Sequence, residues 1–119
     1  MYKIEVQKDK NRIVVTSEGE HDGDMREFVE RIKEAAMQIK QHSPYFDILT
    51  DLSKAMVIQQ DRAEASKELI QWCERQGMRK SAAVVDMIVQ RMQVTRLTDR
   101  SEKVASFSTR AEAERWLDE

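Results

Sequence analysis

The chain has little of what crosslinks, stiffens or anchors a protein: of its 119 residues, one is cysteine, one is proline and three are glycine. The single cysteine, Cys73, excludes an internal disulfide and is typical of a reducing compartment. The longest apolar runs, such as residues 82–85, fall far short of the roughly 20 residues that a membrane-spanning helix needs. No basic segment followed by an apolar one opens the chain, so no secretory signal is seen. We therefore expect a cytoplasmic protein without a membrane span.

Neither sign of charge dominates, because 20 basic and 22 acidic side chains leave a formal net charge of −2. Such a balance gives no bulk attraction for nucleic acid or for an anionic membrane surface, so no nucleic-acid partner is expected. Hydrophobic residues make up 40% of the chain, which is enough to form a core. At this length a single domain buries roughly two-thirds of the surface that the unfolded chain exposes. We expect one domain over residues 1–119.

Short strands alternate with helices along the chain. Near its start, Tyr2, Ile4 and Val6 alternate with polar residues, which predicts a strand with one buried face. Further on, apolar residues recur every three or four positions, which predicts amphipathic helices. The predicted elements are strands at residues 2–6, 12–16, 46–51, 81–85 and 103–107, and helices at residues 24–41, 61–76, 88–95 and 109–117.

Local signals mark where the helices begin and end. Capping boxes, in which a side-chain acceptor is followed three residues later by Glu, open the first helix at Asp24 and the last helix at Thr109. Pro44 stops the first helix, and Gly77 is placed to close the second in a left-handed conformation. Helices between short strands supply the long crossovers that parallel pairing needs. The predicted fold class is α/β, in the order β-β-α-β-α-β-α-β-α, with a mostly parallel sheet flanked by helices.

The main candidate site follows the central apolar strand, where Thr50, Asp51 and Ser53 lie just ahead of the second helix. Open α/β sheets bind ligands beyond the carboxyl ends of their strands, which makes Asp51 a candidate ligand-binding residue. Ser53 and Thr50 could accept a phosphate that nearby helix amides would stabilise. The alternative is purely local, with the hydroxyl and the carboxylate satisfying backbone amides in a turn.

A second candidate surface is the apolar piece Met56, Val57 and Ile58, which lies in a poorly patterned segment after Ser53. Apolar residues outside a regular pattern favour exposure for a binding partner. The chain also has seven methionines, whose flexible side chains could line a groove for a lipid or another small apolar molecule. Most of them are explained equally well as core packing.

Three further clusters have simpler explanations. An acidic group with one imidazole could hold a metal ion, but it lacks the spacing of known metal motifs and opens a helix, where acidic residues oppose the dipole. Cys73 lies beside Trp72 on the apolar face of the second helix, which indicates core packing rather than a nucleophile. Basic residues around the turn after that helix are interpreted as ordinary charged surface. The acidic group is Glu18, Glu20, His21, Asp22 and Asp24; the basic residues are Arg75, Arg79, Lys80, Arg91, Arg96 and Arg100.

Three segments resemble the SpoIIAA-like branch of STAS-like domains: Ile-Leu-Thr-Asp-Leu at residues 48–52, Gly-Met-Arg-Lys-Ser-Ala-Ala-Val-Val at residues 77–85, and the ending at residues 107–117. The best local match is Phe107, then Glu-Ala, then Trp-Leu in that ending. The resemblance implies a bacterial cytoplasmic domain of largely unknown function, related in fold to anti-sigma factor antagonists and to CRAL-TRIO-like lipid-binding domains. The antagonists carry a phosphorylatable Ser or Thr in an Asp-Ser-Ser/Thr-Gly setting. Here the corresponding Ser53 is offset, and no glycine follows it.

No catalytic constellation, metal motif or cofactor motif emerges, so we expect neither an enzyme nor a cofactor. The leading hypothesis is a regulatory or protein-interaction module that uses residues 51–60 as its partner surface. The first alternative is a carrier of a lipid or small apolar ligand. The second is an enzyme that uses Asp51 and Ser53. An exposed edge strand would also allow the chain to pair with a copy of itself.

Overall fold

Five strands and three helices form the described part of the chain, which in this computed structural model comprises residues 2–19, 25–55, 60–85 and 103–119. In chain order they are β1 (Tyr2–Gln7), β2 (Arg12–Gly19), α1 (Met25–Lys40), β3 (Phe46–Ala55), α2 (Gln60–Arg75), β4 (Met78–Val84), β5 (Val104–Phe107) and α3 (Arg110–Asp118). The helix predicted at residues 88–95 lies outside the described residues.

The strands form one sheet in the order β1-β2-β3-β4-β5. β1 pairs antiparallel with β2, and β2, β3, β4 and β5 pair parallel to one another. The sheet is therefore mostly parallel with one antiparallel pair, which confirms the predicted fold class. Each parallel step lies between adjacent strands, so the carboxyl ends of β2, β3, β4 and β5 share one edge of the sheet and their amino ends share the other. We call these the carboxyl edge and the amino edge.

Helices cover both faces of the sheet, as the predicted apolar stripes require. α1 and α2 pack on one face, and α3 packs on the other against β3, β4 and β5. None of the described helices is both long and apolar enough to cross a membrane. The core under α1 and α2 consists of Ile13, Val15, Ile32, Ala35, Ala36, Ile39, Phe46, Ile48, Leu69, Cys73 and Met78. The core under α3 consists of Val14, Leu49, Ala82, Val84, Ala113 and Leu117.

The predicted helix boundaries hold to within about one residue. α1 ends at Lys40, where the Ser43 amide still donates to the Ile39 carbonyl before Pro44 diverts the chain. α2 ends just before Gly77, whose φ of +105° only glycine adopts readily. At the start of α3, the Thr109 hydroxyl accepts from the Glu112 amide at 3.2 Å and donates to the Glu112 carboxylate at 2.9 Å. The predicted start of the last helix at Thr109, with its hydroxyl as the N-cap, is thus confirmed.

Three strands are longer than predicted: β2 continues to Gly19 rather than ending at residue 16, and β4 and β3 are each extended at one end. β4 begins at Met78 rather than residue 81, because Phe46 pairs with Met78 and Asp47 with Lys80 at the start of β3. β3 continues to Ala55 rather than ending near residue 51, because Lys54 and Ala55 still pair with the end of β2. Neither the β4 extension nor the β3 extension has an apolar pattern of its own. Both are set by the neighbouring strand, which offers backbone hydrogen bonds to polar segments as readily as to apolar ones.

Candidate functional site

A β-bulge interrupts β3 at the carboxyl edge of the sheet. Thr16 of β2 pairs with Asp51, but the next pair is Glu18 with Lys54, so one residue of β2 faces two residues of β3. The extra residue lies in Leu52–Ser53. A bulge of this kind leaves backbone groups outside the regular ladder and bends the strand. At this point in β3, backbone groups that do not pair within the sheet are available for other contacts.

Asp51 and Ser53 are joined across this bulge. The Ser53 amide donates to Asp51 Oδ1 at 3.0 Å, and the Ser53 hydroxyl donates to the same oxygen at 2.6 Å. Both residues are partly exposed, and Lys54 beside them is exposed. A carboxylate that accepts from both an amide and a hydroxyl fixes the position of the hydroxyl oxygen. The pair therefore places an ordered hydroxyl, on a partly exposed residue, at the edge where open α/β sheets bind ligands.

Thr50 lies on the opposite face of the sheet from Asp51. It pairs with Val15 on one side and with Ala83 on the other, whereas Asp51 pairs with Val84, which is in the core under α3. Because side chains alternate between faces along a strand, Thr50 points to the side of α1 and α2. The structure thus brings Asp51 and Ser53 together and separates Thr50 from them.

β3 is longer than predicted, and this changes the interpretation of the partner surface predicted at residues 51–60. Its first five residues belong to β3 and form part of the sheet rather than a loop. Its apolar piece, Met56, Val57 and Ile58, lies outside the described residues and stays a prediction. The described residues define the carboxyl edge, and the Asp51–Ser53 pair at this edge precedes the apolar piece by a few residues.

Among the described residues, the most buried charged groups lie at the opposite, amino edge of the sheet. Arg12 and Asp47 begin β2 and β3, and only 2% and 4% of their surfaces are exposed. Arg79 of β4 holds Asp47 through two parallel hydrogen bonds, from Nε to Oδ1 at 3.0 Å and from Nη2 to Oδ2 at 2.8 Å. Arg12 Nη2 lies 3.9 Å from Asp47 Oδ2 on the other side. Asp47 is therefore the shared carboxylate between two guanidinium groups.

The same network holds the end of α3. Arg12 Nη2 donates to Asp118 Oδ1 at 2.7 Å, and Arg79 Nη2 donates to the Leu117 carbonyl at 2.6 Å. Lys80 Nζ donates to the Trp116 carbonyl at 2.9 Å. Cations at the last carbonyls of a helix satisfy acceptors that have no intrahelical partner and oppose the helix dipole. The charges of the amino edge thus serve to dock α3 on the sheet.

Two pKa values in this network are shifted by the pairing. The hydrogen bond from Arg12 lowers the pKa of the Asp118 carboxyl, and the hydrogen bond to Asp47 raises the pKa of Arg79. Since the folded-state pKa of Asp118 lies below its unfolded value, this contact contributes stability above the ordinary carboxyl pKa. That contribution is lost as the pH falls through the lowered value.

Arg79 and Lys80 correct the interpretation of the basic cluster. The sequence placed them beside a turn as ordinary charged surface, but both lie inside β4 and bond to Asp47 and to α3. Lys80 Nζ also lies 4.9 Å from the centre of the Trp116 ring. Arg91, Arg96 and Arg100 lie outside the described residues. The signal available in the sequence was Asp47 itself, a single carboxylate within an apolar strand, because a buried charge requires a partner.

The acidic cluster near His21 is described only at Glu18, which is exposed at the end of β2. Its other members lie outside the described residues. Within residues 2–19, 25–55, 60–85 and 103–119, no three His, Cys, Asp or Glu side chains come together as metal ligands would. The capping role predicted for Asp24 stays a prediction as well.

Cys73 is fully buried in the core under α1 and α2, as predicted. Burial raises the pKa of its thiol from 9.0 to about 12. At neutral pH the side chain therefore has far less reactive thiolate than an ordinary thiol. We expect native protein to react with a disulfide-exchange reagent far more slowly than protein in denaturant. Equal rates in both states, measured by release of the coloured thiol, would show that the side chain is accessible.

Comparison with known proteins bears on the fold. No protein-family model matches the sequence, and no curated protein matches it. Among solved structures, the chain is similar to an uncharacterised protein of the DUF3478 family from Shewanella loihica PV-4, which has a SpoIIAA-like fold. The TM-score is 0.70 at 16% sequence identity, and the match covers 98% of this chain and 92% of the other. The two chains share their architecture over nearly their whole length.

Proposed function

The chain has a SpoIIAA-like fold, and on that fold we propose a non-enzymatic regulatory module that binds a protein partner at the carboxyl edge of its sheet. The observation that carries the proposal is the bulge of β3, where Ser53 is partly exposed and its hydroxyl donates to Asp51 Oδ1 at 2.6 Å. Ser53 is the residue whose phosphorylation switches partner binding. Its position at the end of the central strand supports this assignment.

The switch works through the charge of Asp51. In the unmodified protein the Ser53 amide and hydroxyl both donate to Asp51 Oδ1. A phosphate on Ser53 removes the hydroxyl donor and places about two negative charges against the carboxylate. Like charges at this separation repel strongly, so the Asp51 side chain and the bulge must rearrange. Modification therefore changes the shape of the carboxyl edge as well as its charge.

The nature of the partner follows from the surroundings of the bulge. The bulge lies near the end of β3, and Met56, Val57 and Ile58 follow it within a few residues of the chain. An apolar segment that follows a chargeable hydroxyl in the chain suits a protein partner that buries apolar side chains and senses the charge. The proposal assigns both features to one partner.

Partner binding tests this proposal through matched variants. A protein captured by the tagged chain and identified by mass spectrometry is titrated against wild type, Ser53→Asp and Asp51→Asn. We expect Ser53→Asp to change the dissociation constant by at least about tenfold, since an interface charge change of this kind is typically worth one to a few kcal/mol. The control is Gln41→Asp, which adds the same charge at an exposed position after α1, at the amino edge of the sheet. If Ser53→Asp and Gln41→Asp both bind the partner as wild type does, the switch is wrong.

The hydroxyl–carboxylate pair also favours one enzymatic alternative. A nucleophile with its base shows the same contact, a hydroxyl that donates to an acceptor side chain within hydrogen-bond reach. In this alternative Ser53 attacks and Asp51 accepts its proton. The variants separate the two functions: hydrolysis of ester or phosphoester substrates that is lost in both Ser53→Ala and Asp51→Asn would favour the enzyme. The carrier of a lipid or small apolar ligand stays a prediction, because Met87 and Met92 lie outside the described residues and Met78 is part of the core.

A further inference from the structure

We propose that two copies of this chain pair antiparallel along β1 and form one continuous sheet. β1 is the outermost described strand on its side, and it pairs with β2 alone among the described strands. Such an edge presents backbone donors and acceptors that another strand can use. This surface lies at the side of the sheet rather than at its carboxyl edge, so the inference is independent of the Ser53 switch.

Symmetry restricts how the two edges can meet. An antiparallel pair of identical strands has its twofold axis perpendicular to the sheet, so each face of one copy continues into the same face of the other. Residues that lie opposite each other must therefore share a face. Tyr2, Ile4 and Val6 lie on the face of α1, where they are partly buried, and Lys3 and Glu5 lie on the opposite face, where they are exposed. Only registers that shift by two residues satisfy this condition.

One of these registers matches charge as well as shape. With the axis at Ile4, Lys3 of each copy lies opposite Glu5 of the other, and Ile4 lies opposite its own copy. Opposite charges directly across an antiparallel pair are favourable, and like charges are unfavourable. A shift of two residues in one direction places Lys3 opposite Lys3, and in the other direction it places Glu5 opposite Glu5. Of these three registers, the sequence of β1 therefore favours the one with its axis at Ile4.

Within one copy Lys3 and Glu5 already form an ion pair, and the second copy places a further opposite charge across from each of them. Lys3 Nζ lies 3.5 Å from Glu5 Oε1, with 73% and 52% of these side chains exposed. A lysine on an edge strand normally discourages pairing with another chain. In this register each Lys3 has the Glu5 carboxylate of the other copy directly opposite. The lysine therefore favours this register over the neighbouring ones.

The apolar face of β1 continues the core across the axis. Ile4 and Val6 pack against the core under α1 and α2. Tyr2 meets Phe28 of α1 edge to face, with ring centres 4.9 Å apart, and Arg31 lies 5.4 Å from the centre of the Tyr2 ring. In the selected register Tyr2 of each copy lies opposite Val6 of the other. Aromatic and β-branched residues opposite each other are among the favourable cross-strand pairs.

Charge reversal with restoration tests the register. Sedimentation equilibrium is measured over a range of protein and salt concentrations for wild type, Lys3→Glu, Glu5→Lys and the double variant K3E/E5K. We expect a wild-type dimer that weakens with salt, and single reversals that each raise the dimer dissociation constant at least about tenfold, because each creates two like-charge pairs. The double variant restores both opposite-charge pairs and should return to the wild-type dissociation constant.

Two results would overturn the inference. A wild-type chain that stays monomeric at the highest concentration would show that the β1 edge does not pair. A dimer that persists unchanged in both single variants would place the contact on another surface. Circular dichroism of every variant separates loss of the dimer from loss of the fold. Since Ser53 and Asp51 are unchanged throughout, the outcome does not depend on partner binding at the carboxyl edge.

Discussion

Replacing Asp47 with alanine is expected to lower the free energy of unfolding by about 3–5 kcal/mol, the usual cost of removing one partner from a buried ion pair. Asp47 is 4% exposed and receives two hydrogen bonds from Arg79. Its loss leaves Arg12, which is 2% exposed, without the buried carboxylate 3.9 Å away. It also releases Arg79 from the position in which that residue holds the Leu117 carbonyl.

Urea unfolding followed by circular dichroism measures this cost. The matched control is Asp9→Ala, the same substitution at an exposed position of the β1–β2 turn, where a change within about 0.5 kcal/mol is expected. In a Trp72→Phe background, where Trp116 is the one remaining tryptophan, fluorescence of Trp116 should shift in the Asp47 variant before global unfolding, because the end of α3 is docked through the same network. If Asp47→Ala and Asp9→Ala have the same stability, the amino-edge charges do not hold the fold.

Replacing Gly77 with alanine is expected to cost about 2–5 kcal/mol, as the sum of backbone strain and steric overlap. Gly77 has a φ of +105°, which residues with a side chain rarely adopt. A Cβ atom there would also collide with the backbone carbonyl oxygen of Pro44. Backbone cannot turn away as a flexible side chain can, so the turn between α2 and β4 must shift. That shift would disturb the hydrogen bond from the Phe46 amide to the Gly77 carbonyl.

Gly19→Ala is the control that separates the cost of a left-handed backbone from the cost of steric overlap. Gly19 also has a positive φ, of +62°, but an added Cβ would meet nothing within 4 Å. Its substitution should therefore cost only the left-handed penalty of about 1–2 kcal/mol. Thermal or urea unfolding of both variants gives the comparison. Equal costs at the two positions would show that the contact with Pro44 is relieved without penalty.

Local signals explain why most of the fold could be predicted from the sequence. The hairpin follows from the alternation of Tyr2, Ile4 and Val6, and the end of α2 follows from Gly77. The start of α3 follows from Thr109, whose hydroxyl makes the predicted contact with Glu112. Each of these signals depends on residues that are at most a few positions apart, so the local sequence is enough to predict these elements. The mostly parallel sheet then follows from the lengths of the connections.

Long-range contacts explain what could not be predicted. The extension of β3 to Ala55 depends on its pairing with Gly19, far away in the chain. Arg79 and Lys80 are polar residues beside a turn when read locally, and their partners, Asp47 of β3 and the end of α3, are distant in the chain. A pattern based on hydrophobic period cannot detect a polar segment that becomes a strand because its neighbour offers hydrogen bonds.

The candidate site also combines features that local sequence predicts with features that depend on long-range pairing. Sequence selected Thr50, Asp51 and Ser53 as one group at the end of a strand. The alternation of side chains places Thr50 on the other face of the sheet, and that follows from the sequence once the strand is known. The bulge that joins Asp51 to Ser53 depends on the register of β2 against β3, which local sequence does not encode. The Met56–Ile58 surface stays a prediction.

The most direct test of the proposed function is mass spectrometry of the protein purified from its own source. Native spectra show bound partners, and denaturing spectra followed by peptide mapping show covalent modification. The proposal predicts a bound protein partner and a fraction of chains with one phosphate, located on Ser53, with the partner depleted from one of the two forms. A chain that has neither phosphate nor protein partner under every growth condition sampled would contradict it.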